Sequence, residues 1–313
     1  MNPSDSNTPP VVRRFPLTTL LLLCSLVVYF VWFLFMHFQE SQSEATTRKW
    51  TAALTKKDVV HARALFEDFL HLHPTDPLPY MEISKFCAEF DQPALAVEYA
   101  QRGIDACKNA PAPQRAGLYL SLAQAQSLAA PAHPQTGAIA SVRTALSLDP
   151  QNPVLQNAAG YMLADNDQSL DEAEKLLRQA LQSLKQPGAD LLSDELRPDM
   201  EDSFGWLLYK KGDYTGALAA LNQASHHLPS GEPGYIAKYF YYHLGAAYRK
   251  AGQTDEARRT LAVALQYDPA FPEAKAEEAL LPPQNTPAAS PRDTPPAGPS
   301  VVPPSSAATG LKF

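Results

Sequence analysis

Residues 204–229 read FGWLLYKKGDYTGALAALNQASHHLP, and residues 244–269 read LGAAYRKAGQTDEARRTLAVALQYDP. The two stretches place small, apolar and helix-breaking residues at the same offsets. The shared positions are Gly205 and Gly245, Gly212 and Gly252, Ala217 and Ala257, Leu221 and Leu261, Ala224 and Ala264, and Pro229 and Pro269. Such self-similarity predicts that one structural unit recurs along the chain.

The residue types in each copy predict a hairpin of two antiparallel helices. Gly205 and Ala217 are small enough to let the two helices approach closely, and Leu221 fills the space between hairpins. Gly212 stands where the first helix must stop, as expected of a C-terminal cap. Pro229 ends the second helix, because proline removes a hydrogen-bond donor and clashes with the preceding turn.

Weaker copies extend this pattern upstream. They are marked by Trp50, Ala62, Phe66, Phe69 and Pro74; by Tyr80, Ile83 and Ala96; by Leu122, Ala138, Ala145 and Pro150; and by Gly160, Leu163, Ala173, Leu177 and Ala180. The pattern resembles the tetratricopeptide repeat, a helical hairpin with a period of about 34 residues. The resemblance implies an all-α protein, with a right-handed α-solenoid of about six hairpins in residues 43–281. Residues 272–281 would form the end helix that such arrays need.

The repeat pattern is interrupted in three places. Residues 131–134 are an insertion, residues 186–198 read as a polar, proline-containing linker, and residues 230–236 lengthen the last junction. We expect the solenoid to bend or loop out at the last two.

An apolar run near the N-terminus predicts a transmembrane helix over residues 17–38, after a short head of residues 1–16. No charged residue occurs between Arg14 and Glu40. At about 1.5 Å per residue the run is long enough to cross a hydrocarbon core of about 30 Å. It is longer than the apolar region of a cleaved secretory signal and lacks a small-residue cleavage site. Leu23 before Cys24 also disfavours a lipoprotein signal.

Charges beside the apolar run predict its orientation. Arg13 and Arg14 precede it, whereas Glu40 and Glu44 follow it. The positive-inside rule therefore places the head in the cytoplasm. The sequence predicts a single-pass protein of the bacterial inner membrane, with the repeats on the periplasmic or extracellular side. A twin-arginine export signal is a weaker reading of the same pair.

Composition bounds the remaining possibilities. The formal net charge is −7 and the pI is about 5.6, which argues against a nucleic-acid partner. Residues 282–313 are rich in proline, serine and alanine, so we expect a disordered tail. In the repeat region Cys87 and Cys107 would lie at distant points of antiparallel helices, and we expect two apolar packing residues rather than a disulfide.

The first helices of successive tetratricopeptide hairpins line a concave groove, and the resemblance assigns groove positions here. They are Tyr161, Trp206, Tyr209, Lys210, Tyr239, Tyr242, Arg249 and Lys250. Tyrosine and tryptophan are common at binding hot spots, and the cations would suit an acidic segment or a C-terminal carboxylate. The alternative is that some rings only pack against the next hairpin. Ala158, Ser203 and His243 stand where the family's carboxylate clamp needs Asn or a longer cation, so we expect that activity to be absent.

The sequence offers no constellation for catalysis. It lacks a phosphate-binding loop, a nucleophile elbow and a zinc-protease motif, and we expect neither a metal nor a cofactor. Asp165, Asp167 and Ser169 imitate a calcium loop but lack its glycine and its closing glutamate, which indicates a solvated turn. The histidine pairs His71–His73 and His226–His227 precede helix-ending prolines and are expected to interact with helix C-termini.

The sequence therefore predicts a membrane-anchored adaptor that is not an enzyme. Its concave groove would bind peptide segments or partner proteins, in cell-envelope assembly or protein export. The alternative is a structural scaffold of a secretion, pilus or cytochrome-maturation complex, in which the array forms a homo-oligomer.

Overall fold

A computed structural model describes residues 45–130, 135–186, 190–228 and 234–283, and all regular structure in those ranges is helical. The chain forms two compact units. One contains helix α1 (residues 45–55), in which Trp50, Ala53 and Leu54 are buried. The other contains α2 (Val59–Leu72), α3 (Pro77–Glu89), α4 (Pro93–Ala106), α5 (Ala112–Ala129), α6 (Thr136–Leu148), α7 (Pro153–Asp165), α8 (Leu170–Ser183), α9 (Asp190–Lys210), α10 (Tyr214–His227), α11 (Gly234–Lys250), α12 (Thr254–Tyr267) and α13 (Pro272–Ala279).

The second unit is a stack of helical hairpins. Helices pack in consecutive pairs, from α3 with α4 to α11 with α12. The first helices of neighbouring hairpins also pack together, since α7 contacts α9 and α9 contacts α11. This confirms the predicted all-α stack of tetratricopeptide-like hairpins. Within the described residues this unit holds five hairpins, preceded by α2 and followed by α13 as the end helix. The helices predicted for the remaining hairpin, α1 and α2, both form, one in each unit.

Close contacts between the two helices of a hairpin explain the repeated glycines. A Cβ atom added at Gly160, Gly205 or Gly245 would lie 2.6, 2.6 or 2.7 Å from the Cγ atom of a leucine on the second helix. These leucines are Leu177, Leu221 and Leu261. Only a residue without a side chain allows helices to approach this closely, so each glycine sets the spacing of its hairpin.

Four hairpins share one turn between their helices. The residue after the turn donates its N–H to the carbonyl five positions earlier, as Asp213 does to Leu208 at 2.9 Å. The turn residue before the donor has a positive φ, as in a Schellman cap. Gly212 and Gly252 supply it in the last two hairpins, as predicted, whereas Asp91 and Asp167 adopt φ values of 55° and 53° in two earlier ones.

Residues 190–198, within the linker predicted over residues 186–198, are helical, so the prediction of a linker there is wrong. Helix α9 begins at Asp190 and continues through Pro198. Leu196 and Met200, on either side of the proline, pack against Ala180 and Leu184. We attribute the persistence of the helix to this apolar packing, which offsets the backbone hydrogen bond that Pro198 cannot make.

The other predicted interruptions and the terminal segments are described only in part. Helix α11 already begins at Gly234, inside the predicted junction of residues 230–236. The predicted head, the span at residues 17–38, the insertion at residues 131–134 and residues 284–313 of the tail lie outside the described residues. No helix within the described ranges is both long and apolar enough to cross a bilayer. Cys87 and Cys107 are both buried as free thiols.

The glycine contacts generate a stability prediction. Gly205→Ala or Gly245→Ala should lower the free energy of unfolding by about 1–3 kcal/mol, because the new methyl group overpacks the interface with Leu221 or Leu261. Gly137→Ala is the matched control, since the nearest atom to its added Cβ is 3.7 Å away. That change should be neutral or stabilise by up to about 1 kcal/mol. Urea unfolding followed by circular dichroism measures all three, and equal effects would contradict the packing role of the glycines.

Candidate functional site

The eight predicted groove residues lie on the first helices of three successive hairpins. Tyr161 is on α7, Trp206, Tyr209 and Lys210 are on α9, and Tyr239, Tyr242, Arg249 and Lys250 are on α11. Ring and cation–π contacts, some of them through His243 and Phe271, join the first six, and Arg249 interacts with Tyr209. Lys250 lies apart from these seven residues, exposed in the last turn of α11. We call these seven residues, together with His243, Asp202 and Phe271, the aromatic cluster.

Trp206 is the centre of the aromatic cluster and is only 3 % exposed. Its ring stacks on Tyr209 at 4.6 Å between centroids and on His243 at 4.2 Å. Its Nε1–H donates to Asp165 Oδ1 at 2.9 Å. The ring therefore packs between α7 and α11 instead of pointing freely into a groove. The environment of Trp206 therefore matches the alternative prediction, that some of these rings only pack against the next hairpin.

His243 and Asp202 form a buried pair beneath the aromatic rings. His243 Nδ1 lies 2.8 Å from Asp202 Oδ2, and the two residues are 1 % and 6 % exposed. Within the described part of the chain, His243 Nε2 and Asp202 Oδ1 are buried and have no hydrogen-bond partner. Sequence reasoning treated His243 only as a failed clamp position and did not single out Asp202, because the pairing joins two helices far apart in sequence.

Three tyrosines form the half-buried edge of the aromatic cluster, and two of them pack on the buried ring of Phe271. Tyr239 and Tyr242 make edge-on contacts with Phe271, at 5.2 and 5.4 Å between centroids. Tyr161 lies 5.9 Å from the His243 ring. Phe271, which sequence reasoning missed, directly precedes α13. The end helix thus closes the cluster on one side.

The environment of these tyrosines is both apolar and negatively charged. Burial raises the pKa of Tyr239 to about 12, with smaller contributions from Glu273, Asp268 and Asp165. Burial, followed by Glu277, also raises the pKa of Tyr242. The pKa of Tyr161 is raised by burial first and then by Asp165 and Asp202. Each carboxylate disfavours a phenolate, so the phenol groups stay neutral at physiological pH.

The predicted groove cations are already held by acidic groups. Lys210 Nζ donates to Asp167 Oδ2 and to the Asp165 carbonyl oxygen, each at 3.0 Å. The Arg249 guanidinium donates through two nitrogens to the carboxylate of Glu277. Both cations are mostly buried, at 16 % and 18 % side-chain exposure. They therefore serve the structure of the cluster, which weakens the expectation of an acidic ligand.

The calcium-like segment and the histidines near helix ends occupy turns and the last turns of helices. Asp167 forms the left-handed turn and pairs with Lys210, so the calcium-like segment is a turn in this structure. His71 and the pair His226–His227 stand in the last turns of α2 and α10, as predicted. Across the described ranges, no group of three or more His, Cys, Asp or Glu residues is arranged to hold a metal ion.

The raised pKa of Tyr239 generates a pH prediction. The ordinary phenol pKa is 10.0 and the folded value is about 12, so the phenol ionises first in the unfolded chain. The stability that it contributes is complete below pH 10 and is lost as pH rises through 12. Tyr239→Phe keeps the ring and removes the ionisable hydroxyl.

Between pH 9 and pH 12, the free energy of unfolding should therefore fall by about 2 kcal/mol less in Tyr239→Phe than in the natural chain. Urea unfolding at the two pH values measures the difference. Tyr119→Phe is the control, since that tyrosine lies outside the aromatic cluster on α5. An identical loss in the natural chain and in Tyr239→Phe would mean that Tyr239 titrates normally.

Comparison with known proteins agrees with the observed architecture. A tetratricopeptide repeat family model matches residues 208–281. No curated protein matches the chain. The APC/C hetero-tetramer Cut9–Hcn1 is similar in fold, with 16 % identity, a TM-score of 0.53, and coverage of 75 % of this chain and 42 % of that one. The present chain thus spans less than half of that relative.

Two smaller repeat proteins align over most of their own lengths. YrrB, a tetratricopeptide protein with an unusual peptide-binding site, aligns with 18 % identity and a TM-score of 0.38 over 69 % of this chain and 98 % of that one. BtubC from P. vanneervenii aligns with 15 % identity and a TM-score of 0.46 over 80 % and 96 %. The family model thus places residues 208–281 in the tetratricopeptide repeat, and the likeness to Cut9–Hcn1 shows that the wider stack has the fold of such repeats.

Proposed function

We propose that this protein is an interaction adaptor that binds a segment of a partner protein at the aromatic cluster. The observation that carries the proposal is the placement of half-buried tyrosines on first helices of three successive hairpins, next to buried polar atoms that lack partners. Tyrosine buries a large area with few rotatable bonds and keeps a polar atom for the ligand. The fold supports such a role because tetratricopeptide stacks generally bind proteins.

The tyrosines, rather than Trp206, would form the contact surface. Trp206 is buried and holds Asp165, so its contribution is to fix the positions of Tyr209 and His243. Tyr161, Tyr239 and Tyr242 are only partly buried and lie at the edge of the cluster. A bound segment would thus bury the remaining exposed surface of these rings.

Site-specific crosslinking tests the binding surface. A photoreactive amino acid at Tyr239 should give a specific adduct with a partner protein in membranes, because this ring is partly exposed on α11. The same amino acid at Gln179, exposed on the second helix α8, is the control and should not give that adduct. An adduct with a second copy of this chain would support the scaffold alternative. Adducts at Gln179 without any at Tyr239 would place the binding surface elsewhere.

We also propose that residues 17–38 anchor the protein in the bacterial inner membrane, with the repeats on the periplasmic or extracellular side. The support is the uncharged apolar run between Arg14 and Glu40 and the arginine pair before it. Such an anchor would hold the adaptor beside envelope-assembly or export machinery.

Charged substitutions in the apolar run test the anchor. Leu26→Arg together with Val28→Arg should release the protein from membranes at alkaline pH, because arginine stays charged there and each charge near the bilayer centre costs about 3 kcal/mol on insertion scales. The control is Leu26→Ala with Val28→Ala, which should stay in the membrane fraction. Protease digestion of intact spheroplasts should degrade the repeats, whereas protection until lysis would contradict the proposed side.

A further inference from the structure

We propose that the segment bound at the aromatic cluster presents a positively charged nitrogen group, a lysine or arginine side chain, to the buried pair His243 and Asp202. This inference rests on the proposed function and adds the chemistry of the partner. It reverses the expectation of an acidic ligand that the sequence suggested.

The first argument is the chemistry of the buried atoms that lack partners. When a neutral His243 ring donates its Nδ1–H to Asp202, its Nε2 atom carries a lone pair and accepts hydrogen bonds. The unpartnered Asp202 Oδ1 and Asn157 Oδ1 atoms are acceptors too. Buried acceptors without donors cost free energy. A ligand rich in N–H groups would satisfy them, whereas a carboxylate would add another acceptor.

The positions of these acceptors give the second argument. Asn157 and Asp202 each stand three residues before the packing glycine of their own first helix, Gly160 or Gly205, and His243 stands two before Gly245. Asn157 and Asp202 therefore occupy equivalent positions on α7 and α9, which contact each other. Asp202 in turn meets His243 of α11, whose ring lies 5.9 Å from that of Tyr161 and 5.3 Å from that of Tyr242.

Ring geometry in the cluster supplies the third argument. Lys238 Nζ already lies 4.9 Å from the centroid of Phe271 and 5.3 Å from that of Tyr239. Lys210 Nζ lies 5.4 Å from the Trp206 centroid. Aromatic faces attract cations through the ring quadrupole, so rings of this cluster are already in cation contact. The partly exposed Tyr161 and Tyr242 offer further surface of the same kind.

The charge balance gives the fourth argument. The cluster's own cations are paired, Lys210 with Asp167 and Arg249 with Glu277, and the neighbouring Lys238 is paired with Asp268 at 2.7 Å. The buried Asp202 faces only the His243 ring nitrogen among these contacts. An incoming cation would therefore meet an acidic, aromatic environment, while an incoming carboxylate would have to displace Asp167 or Glu277.

Access to the buried pair depends on Tyr242. Its ring lies 5.3 Å from the His243 ring and is packed edge-on against Phe271. Tyr242 is only partly buried, so a ligand group that reaches His243 Nε2 would have to move the Tyr242 ring out of its contact with Phe271. A long, flexible side chain such as that of lysine or arginine suits so deep a position.

Peptides of opposite charge test the inference on the full chain in nonionic detergent. The probes are fluorescent pentalysine and pentaglutamate, both acetylated and amidated so that their termini are neutral, measured by anisotropy. We expect the lysine peptide to bind at least about tenfold more tightly than the glutamate peptide, and to weaken as salt rises. This comparison needs no variant, so it does not depend on the folding of any mutant.

Two variants with the same chemical change locate the effect. Asp202→Asn keeps the side-chain shape and should weaken pentalysine binding about tenfold. Asp171→Asn is the matched control, since that carboxylate is fully exposed on α8, and it should change binding less than twofold. Thermal unfolding of both variants reports whether the fold is retained.

The outcomes separate this inference from the proposed function. Tighter binding of pentaglutamate, or equal pentalysine binding by the natural chain and by Asp202→Asn, would overturn the cationic ligand. Crosslinking of a partner at Tyr239 would in either case leave the adaptor function standing. If pentalysine binds as expected but no partner crosslinks at Tyr239, the charge preference holds and the adaptor function fails.

Discussion

The contact between a helical glycine and a leucine on the facing helix controls the geometry of this protein. At Gly160, Gly205 and Gly245 there is no room for even one carbon atom, so the two helices of each hairpin have a fixed spacing. Because the same contact recurs in three successive hairpins, their first helices come to lie side by side. Residues far apart in sequence, such as Asp202 and His243, can then meet in one cluster. The stack and the candidate site thus depend on the same small residues.

Much of this architecture could be predicted from the sequence, because close packing of the helices requires Gly, Ala and Leu at periodic positions. The exceptions have local causes. Asp91 and Asp167 form the same left-handed turns as Gly212 and Gly252, but an aspartate in a turn looks the same in sequence whether it caps a helix or is simply solvated. Pro198 looks like the end of a helix, and only the packing around it shows why α9 continues.

The helices that carry the candidate residues could be predicted from the sequence, but the contacts of those residues could not. Offsets from the packing residues placed tyrosines and cations on the correct helices. The offsets could not show that Lys210 is paired with Asp167 and Arg249 with Glu277, because these partners belong to other elements of the stack. The burial of Trp206 could not be predicted either, since its ring donates a hydrogen bond to Asp165 of a different helix, α7. Counting the charged residues of one helix therefore overestimates how many unpaired charges a ligand would contact.

The contacts of the aromatic cluster also affect how the stack would respond to mechanical force. In a repeat array each hairpin mainly contacts its neighbours, so pulling can detach hairpins one after another. Trp206 joins Asp165 of α7 to His243 of α11, and Arg249 joins α11 to Glu277 of α13. Detaching one hairpin between α7 and α13 would therefore have to break contacts with more than one other element of the stack.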